Sequence, residues 1–539
     1  MQAPNTYFIT SSLPYVNNVP HLGNIIGSTL SGDIYARFKK SQGHNVIYLC
    51  GTDEYGTATM IKAKASNLSP KQICDKYHAE HKQIYDWFNI QFDVWGRTTT
   101  QAQTDITHEI FNELYTKGLI EEKIVEQYWC NQCEMFLADR YIKGGCYHPN
   151  CVAISKGDQC DSCQKMIDAT SLINPTCVVC DHTPVLKLTN HLFLKLQELE
   201  KTIDGYLDTK TNLKPHIMSI AKAWLAKGLN SRCITRDITW GTSLPQHIID
   251  AKPEYQFKSF YVWFDAPFGY YSILANCRSD WREYLQSPNL KWVSSQAKDN
   301  VPFHTIVFPG SILGSGLNLP LINSICGTEY LLYEGKKFSK SEGVGLFGTD
   351  VITISNSLGI NEDYWRFYLI KIRPEIRDTS FTKVDFVQSI NSELINNIGN
   401  YINRCISLTI RYCNGTCTIG TDQDCNTYVS QYENLMDDFR FACALKLCLE
   451  LSSKGNAYIQ STRPWIVAKT DINSVGLIIS RSFAILLTLL KLLTPFIPRT
   501  IASITDKINI VDNTVTINGP VDLPFKKITL ADFDKAYLQ

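Results

Sequence analysis

The stretch TYFITSSLPYVNNVPHLGN, residues 6–24, decides the fold. TYFIT is a short run of β-branched and aromatic residues, which fit a pleated, buried surface. It opens into the loop SSLPYVNNVPHLGN. Ile26, Leu30, Ile34 and Phe38 then recur four residues apart, along one face of a helix, and Gly43 stops it. NVIYLC (45–50) is a second buried strand ending at GTDEYGT (51–57). Strand, helix and strand in that order begin a doubly wound α/β sheet, whose ligands bind outside the carboxyl ends of the strands. Both polar loops follow strands, so both face that crevice.

Outward from this unit, a chain of 539 residues is too long for one core. Four stretches separate by character. Residues 1–120 alternate strand and helix signals and form the first half of the α/β domain. Residues 121–235 lose hydrophobic periodicity, carry paired cysteines and read as an insertion. Residues 236–375 return to alternation, with FYVWFDAPFGYY (260–271) and FHTIVFPG (303–310), and form the second half. Residues 376–539 are read as an all-α helix bundle, with long segments near 385–412, 428–455 and 474–494. The tail from about Ile501, with its VTING turn, is read as folding back onto that bundle. The apolar run from Ser482 to Phe496 is broken by Lys491 and ends in PFIP, so it is expected to be a core helix rather than a membrane span.

The 52 basic and 52 acidic residues cancel, which excludes a globally basic surface. Any nucleic-acid contact must therefore use a local patch. MQAPNTYFIT lacks a charged segment followed by an apolar run, so a cytoplasmic chain is expected. In that setting, 19 cysteines point to reduced thiols and metal sites rather than disulfides. Eight of them form four close pairs: Cys130/Cys133, Cys146/Cys151, Cys160/Cys163 and Cys177/Cys180. Four thiolates make one closed tetrahedral zinc site, so the set holds one or two structural Zn2+ ions. Nested pairing, outer with outer and inner with inner, is the expected arrangement. His148 is a competing ligand at the longer-spaced Cys146/Cys151 pair.

Two loops have the chemistry of phosphate handling. His21-Leu22-Gly23-Asn24 stands at a helix start, where free N–H groups and a partial positive charge suit an anion. Lys336-Lys337-Phe338-Ser339-Lys340-Ser341-Glu342-Gly343 is a cationic loop suited to closing on polyphosphate charge. HLGN after the first strand and KFSKS after the last strands together resemble the two signature motifs of class I aminoacyl-tRNA synthetases, usually written HIGH and KMSKS. Asn24 stands where the second histidine is usual. SSLPYVNN, YVWFDAPFGYY and KDNVPFH (298–304) narrow the resemblance to the methionyl-tRNA synthetase family, in its eukaryotic or archaeal form with two zinc knuckles. The insertion is too short for the large editing domain of the leucine, isoleucine and valine enzymes.

The resemblance implies a class I Rossmann-type catalytic domain with a zinc-knuckle insertion, followed by an anticodon-binding bundle. It implies ATP and Mg2+ as the activating pair, L-methionine as substrate and tRNA(Met), initiator and elongator alike, as acceptor. It further implies a monomer with no membrane partner, and leaves other synthetases or tRNA-binding factors as further partners. His21, Asn24, Lys337 and Lys340 are its catalytic residues. Gly23, Asp299 and Ser339 join them around ATP. Ser12, Leu13, Tyr15, Trp263, Ala266, Pro267, Tyr270, Asn300 and His304 surround methionine, with the Tyr270 hydroxyl donating to its sulfur. Asp53 holds the amino group, and Arg236 pairs with Asp53 or steers the carboxylate. Asn396, Asn400 and Arg404 recur every four residues on a helix face and, with Trp465, read the anticodon.

Overall fold

The computed structural model describes residues 5–157, 160, 162–163, 165, 167–210, 212–339, 343–519 and 525–538. Five parallel strands form its central sheet: β1 (Thr6–Ser11), β2 (Asn45–Thr52), β3 (Val94–Arg97), β4 (Leu290–Ala297) and β5 (Ser324–Thr328). Their order is β5-β4-β1-β2-β3. Phe8 and Ile9 are fully buried. A parallel strand covered on both faces reads as a continuous apolar run for that reason. The chain leaves β1 on one side towards β2, and returns after the insertion on the other side as β4. The crevice at this reversal lies beyond Ser11, Thr52 and Ala297.

The helix that follows β1 runs from Leu22 to Ser41 but is not uniform, because Ile25–Thr29 is a π-helical segment. Such a bulge shifts the register of a helix and is common at functional sites.

The insertion is built on a feature that sequence periodicity does not reveal. Ile120–Cys130 and Val185–Leu194 form a long antiparallel ribbon, paired from Ile120↔Leu194 to Trp129↔Val185. The cysteine knuckles sit at its tip, around a small core of their own. Met60 and Ile61 of the helix Thr57–Ala65 pack against that core and tie it to the catalytic domain.

Beyond the sheet, Lys383–Cys413 is one continuous helix with a π-helical stretch at Ile390–Gly399. The single helix expected near 428–455 is two helices, Cys425–Asp437 and Phe441–Thr462. Phe439 interrupts them with φ +55°, a left-handed conformation that no α-helix continues through. Its ring packs edge-on against Tyr35, 5.0 Å away. Ile472–Leu493 is long and apolar enough to cross a membrane by composition, but it is mostly buried inside the bundle. The expectation of an all-α region needs one correction. Thr416–Thr418, Ile508–Val511 and Thr514–Ile517 form a three-stranded sheet, which takes in most of VTING. The last helix, Leu530–Tyr537, folds back so that Phe533 lies 5.6 Å from Phe386 and 6.2 Å from Trp365.

Candidate active site

The two phosphate-handling loops meet. His21 is the N-cap of the helix that begins at Leu22, and its Nδ1 accepts from the Asn24 N–H at 3.2 Å. Asn24 returns the bond, its Oδ1 accepting from the His21 N–H at 3.2 Å. This reciprocal capping box explains what an amide does in place of the second histidine: it locks the turn. With Nδ1 accepting, the neutral ring carries its proton on Nε2, and that N–H is the group left to donate. Burial lowers the His21 pKa to about 4, so the ring is neutral at pH 7.

Phe338, inside KFSKS, stacks on His21 with ring centroids 4.3 Å apart and planes 5° from parallel. Phe347 closes the other side edge-on at 6.1 Å. A Cβ at Gly23 would come within 3.0 Å of the His21 ring and 3.4 Å of Phe338, so glycine makes room for the stack. Ser339 and Val344 exchange backbone hydrogen bonds at 2.9 Å. Lys337 is exposed on this loop, and its charge acts on Asp378. Lys340 lies outside the described residues.

Asp53 follows β2 directly. Its N–H donates to the Pro14 carbonyl at 2.9 Å, which joins the GTDEYGT loop to the SSLPYVNN loop. The side chain is buried, and one carboxylate oxygen has no hydrogen-bond partner. Burial, then the nearby charges of Asp265 and Glu54, push its pKa well above the carboxylate range. Ser12 donates its N–H to the Ser295 carbonyl, and its hydroxyl meets that of Ser28 at 3.0 Å. Asp299 stands exposed just past β4.

The pocket side chains gather in one wall. Trp263 stacks on Phe303 at 3.8 Å and meets Tyr15 edge-on at 6.3 Å. Leu13 presses against Gly269, where a Cβ would come within 2.7 Å of it. Ala266 and Pro267 make the 3-10 turn after Trp263. His304 Nδ1 donates to the Asn300 carbonyl at 2.9 Å. Its Nε2 is therefore an acceptor, and it takes the Tyr270 hydroxyl proton at 2.9 Å. The Tyr270 hydroxyl, expected to donate to sulfur, here donates to His304. Burial lowers the His304 pKa to about 4, so this arrangement holds at neutral pH. Phe303 was not singled out from sequence, although it lies inside the KDNVPFH segment.

Arg236 also departs from expectation. It pairs with Asp139 of the knuckle module, Nε lying 3.1 Å from each carboxylate oxygen, and not with Asp53. Its guanidinium covers the Tyr261 ring at 3.5 Å. Held by a carboxylate and an aromatic face, this planar group ties the knuckle module to the strand pair Thr235–Arg236 and Ser259–Phe260.

The eight cysteines form two groups, Cys130, Cys133, Cys177 and Cys180, and Cys146, Cys151, Cys160 and Cys163. This is the nested arrangement. Sulfur pairs lie 3.4–3.9 Å apart. Four thiolates at a Zn–S distance of about 2.3 Å sit roughly 3.8 Å from one another, so both groups fit a zinc ion. The second group is all sulfur, and His148 packs instead beside Tyr147, 4.4 Å between ring centroids.

Far from the crevice, Asn396, Asn400 and Arg404 line the helix Lys383–Cys413, with Asn396 and Asn400 exposed. Asn400 donates to Asn456 at 2.8 Å, Arg404 reaches Gln460 at 3.3 Å, and the Arg404 guanidinium lies 5.8 Å from the Trp465 ring centroid. Asn456 and Gln460 are the residues of this patch that sequence did not flag.

A parallel sheet split by an insertion, with HLGN and KFSKS stacked at its switch point, defines a class I tRNA synthetase. Residues 7–406 match the family model described as tRNA synthetases class I (M), and residues 418–522 that of the anticodon binding domain of methionyl tRNA ligase. The chain belongs to this methionyl family of class I tRNA synthetases. It is 53% identical to the methionine–tRNA ligase of Acanthamoeba polyphaga mimivirus, over 97% of this chain and 98% of that one. It is 44% identical to the cytoplasmic methionine–tRNA ligase of Homo sapiens, over 92% of this chain but 56% of the human one. The fold matches Mycobacterium tuberculosis methionyl-tRNA synthetase in complex with methionyl-adenylate, with TM-score 0.76 at 19% identity, over 97% of this chain and 99% of that one.

Proposed function

We infer that the protein attaches L-methionine to tRNA(Met) through methionyl-adenylate, consuming ATP and releasing pyrophosphate and then AMP. The observation that carries this reading is the stack of Phe338 on His21, which brings the HLGN and KFSKS loops together. In the first step the methionine carboxylate attacks the α-phosphate in line. Catalysis of such a transfer rests on positioning and on charge held where it develops. The His21 Nε2–H meets a phosphate oxygen and Lys337 and Lys340 follow the departing pyrophosphate, whose charge a bound Mg2+ would share. Asp299 meets the ribose and Asp53 the amino group. In the second step the terminal ribose hydroxyl of the tRNA attacks the adenylate. The zinc sites are structural, because four thiolates leave no open position. Relatives named as cytoplasmic support work in that compartment.

Pyrophosphate exchange with ATP–Mg2+ and each amino acid in turn tests the reading. Exchange with methionine alone is expected. Exchange with a different amino acid would overturn the pocket, and exchange with none, with tRNA present, would overturn the activity.

A further inference from the structure

The pocket contains more negative charge than its own cations balance. Three carboxylates are buried in this region, Asp53, Glu54 and Asp265, and the charges of the last two act on Asp53. Glu54 is satisfied, by Arg97 at 2.8 Å and by the hydroxyls of Thr52 and Thr99. Asp53 and Asp265 are not, for each has one buried oxygen without a partner. The other oxygen of Asp265 accepts from the Thr242 hydroxyl. A buried carboxylate with an orphaned oxygen is costly, and it takes up a proton or a cation to relieve that cost.

Among the described residues, no cation bonds the orphaned oxygens of Asp53 and Asp265, and the Arg232 guanidinium lies instead over the Phe303 ring at 5.0 Å. Arg97 is shared between Glu54 and Asp75, each at 2.8 Å. Arg236 is held by Asp139. His78 bonds the Thr52 hydroxyl at 2.7 Å and the Trp95 indole at 3.1 Å, and burial keeps it neutral. Burial raises Tyr55 and Cys74, so both are uncharged, and the Tyr270 proton goes to His304. The Gln103 amide N–H and the Trp240 indole N–H donate to backbone carbonyls, those of Asp265 and Glu54, and the Gln103 Oε1 accepts from the Ser272 hydroxyl.

We propose that Asp265 is a positioning residue for the amino acid, which forms with Asp53 a two-carboxylate seat that gives up a proton when the substrate ammonium enters. This rests on the amino-acid reading above. An ammonium has three N–H donors and no acceptor, which suits two buried oxygens that each lack a donor. In the empty site the pair shares one proton, and it titrates as a pair. Burial pushes Asp265 up to about 7, with Asp53 also raised, so the proton is present near neutrality. The exchange balances: the protonated pair plus methionine ammonium gives the bound ammonium, two carboxylates and one proton released to solvent. Affinity for methionine therefore rises with pH across the range in which the empty pair titrates.

The test compares wild type with Asp265→Asn, which keeps the shape and removes one charge. Methionine KM in pyrophosphate exchange is measured from pH 6 to pH 8, together with proton release on methionine binding by calorimetry in two buffers of different ionisation enthalpy. In wild type, KM should fall about tenfold across this range, and protons should be released on binding. In Asp265→Asn, KM at pH 8 should be about tenfold higher, nearly independent of pH, with little proton release and an unchanged ATP KM. An active variant whose methionine KM tracks wild type at every pH overturns the proposal and leaves the amino-acid reading intact. Wild type that exchanges with no amino acid would instead overturn that reading. Should Asp265→Asn fail to fold, Thr242→Val decides. Loss of the hydroxyl bond disfavours the carboxylate, so the KM transition should move to higher pH, and an unmoved transition overturns the proposal.

Discussion

At the scale of single residues, the active site turns on an aromatic contact that charge-based reading overlooks. His21 and Gly23 are legible in the sequence because a helix start beside a strand end has a known use. Phe338 is not, since KFSKS draws the eye to its lysines while the phenylalanine holds the loop against His21 at 4.3 Å. Asn24 is half legible: an amide suggests a hydrogen bond, but only the folded turn reveals that its partner is the His21 backbone. Asp265 sits inside the aromatic run FYVWFDAPFGYY, where its neighbours hide it. Phe338→Ala should remove a ring pair worth about 0.5–1.5 kcal/mol beyond its burial, so kcat/KM for ATP in pyrophosphate exchange should drop about three- to tenfold. Methionine KM should stay within about twofold. Equal rises in both KM values would assign the ring to the whole pocket instead of the loop.

At the scale of elements, legibility follows burial. β1, β2 and the helix between them were readable because each buries an apolar face of definite period. The ribbon Ile120–Cys130 with Val185–Leu194 was not, because both strands expose polar and apolar residues alike and their partners lie far apart in sequence. Its knuckles, by contrast, announced themselves through cysteine spacing alone. Cys133→Ser and Cys151→Ser should each lower bound zinc from two ions per chain to one, as read by metal analysis of the purified protein. A single variant losing both ions would mean that the two knuckles fold as one unit. The helix expected to read the anticodon was legible as a polar stripe every four residues, while Asn456 and Gln460, which brace it from the facing helix, were not. Trp465 retains about a third of its exposure beside Arg404. Stacking on an aromatic ring contributes about 1–3 kcal/mol per base. Trp465→Ala should therefore raise KM for tRNA by about ten- to a hundredfold in aminoacylation while leaving pyrophosphate exchange untouched. A matching loss in exchange would place Trp465 in the fold rather than the interface.

At the scale of the whole molecule, a buried charge joins the catalytic sheet to the helical region. Arg366, on the helix Glu362–Lys371, has no exposed surface, and its guanidinium lies 2.7 Å from the Asp33 carboxylate on the helix after β1. It also donates to the carbonyls of Phe88 at 3.0 Å, Pro495 at 2.8 Å and Phe496 at 3.0 Å. The same Asp33 oxygen accepts from Arg37 at 2.8 Å, and its other oxygen from the Gln91 N–H at 2.9 Å. Four separate stretches of chain, at 33–37, 88–91, 366 and 495–496, thus meet at one ion pair, and nothing in their local sequence announces it. Asp33→Asn keeps the volume but strands a buried guanidinium, which should cost about 3–5 kcal/mol in urea unfolding at pH 7. The pH dependence identifies the cause. Burial alone would raise the Asp33 pKa, but Arg37, Arg366 and the Gln91 N–H outweigh it and hold the carboxyl below its ordinary range. A depressed carboxyl gives its full stabilisation above the unfolded pKa, about 3.9, and loses it as pH falls through the folded value. The gap between wild type and Asp33→Asn should therefore be constant from about pH 5 to pH 8 and shrink below about pH 4. A gap that keeps its size in acid would mean that the amide harms packing, and that the charge does not hold the two regions together.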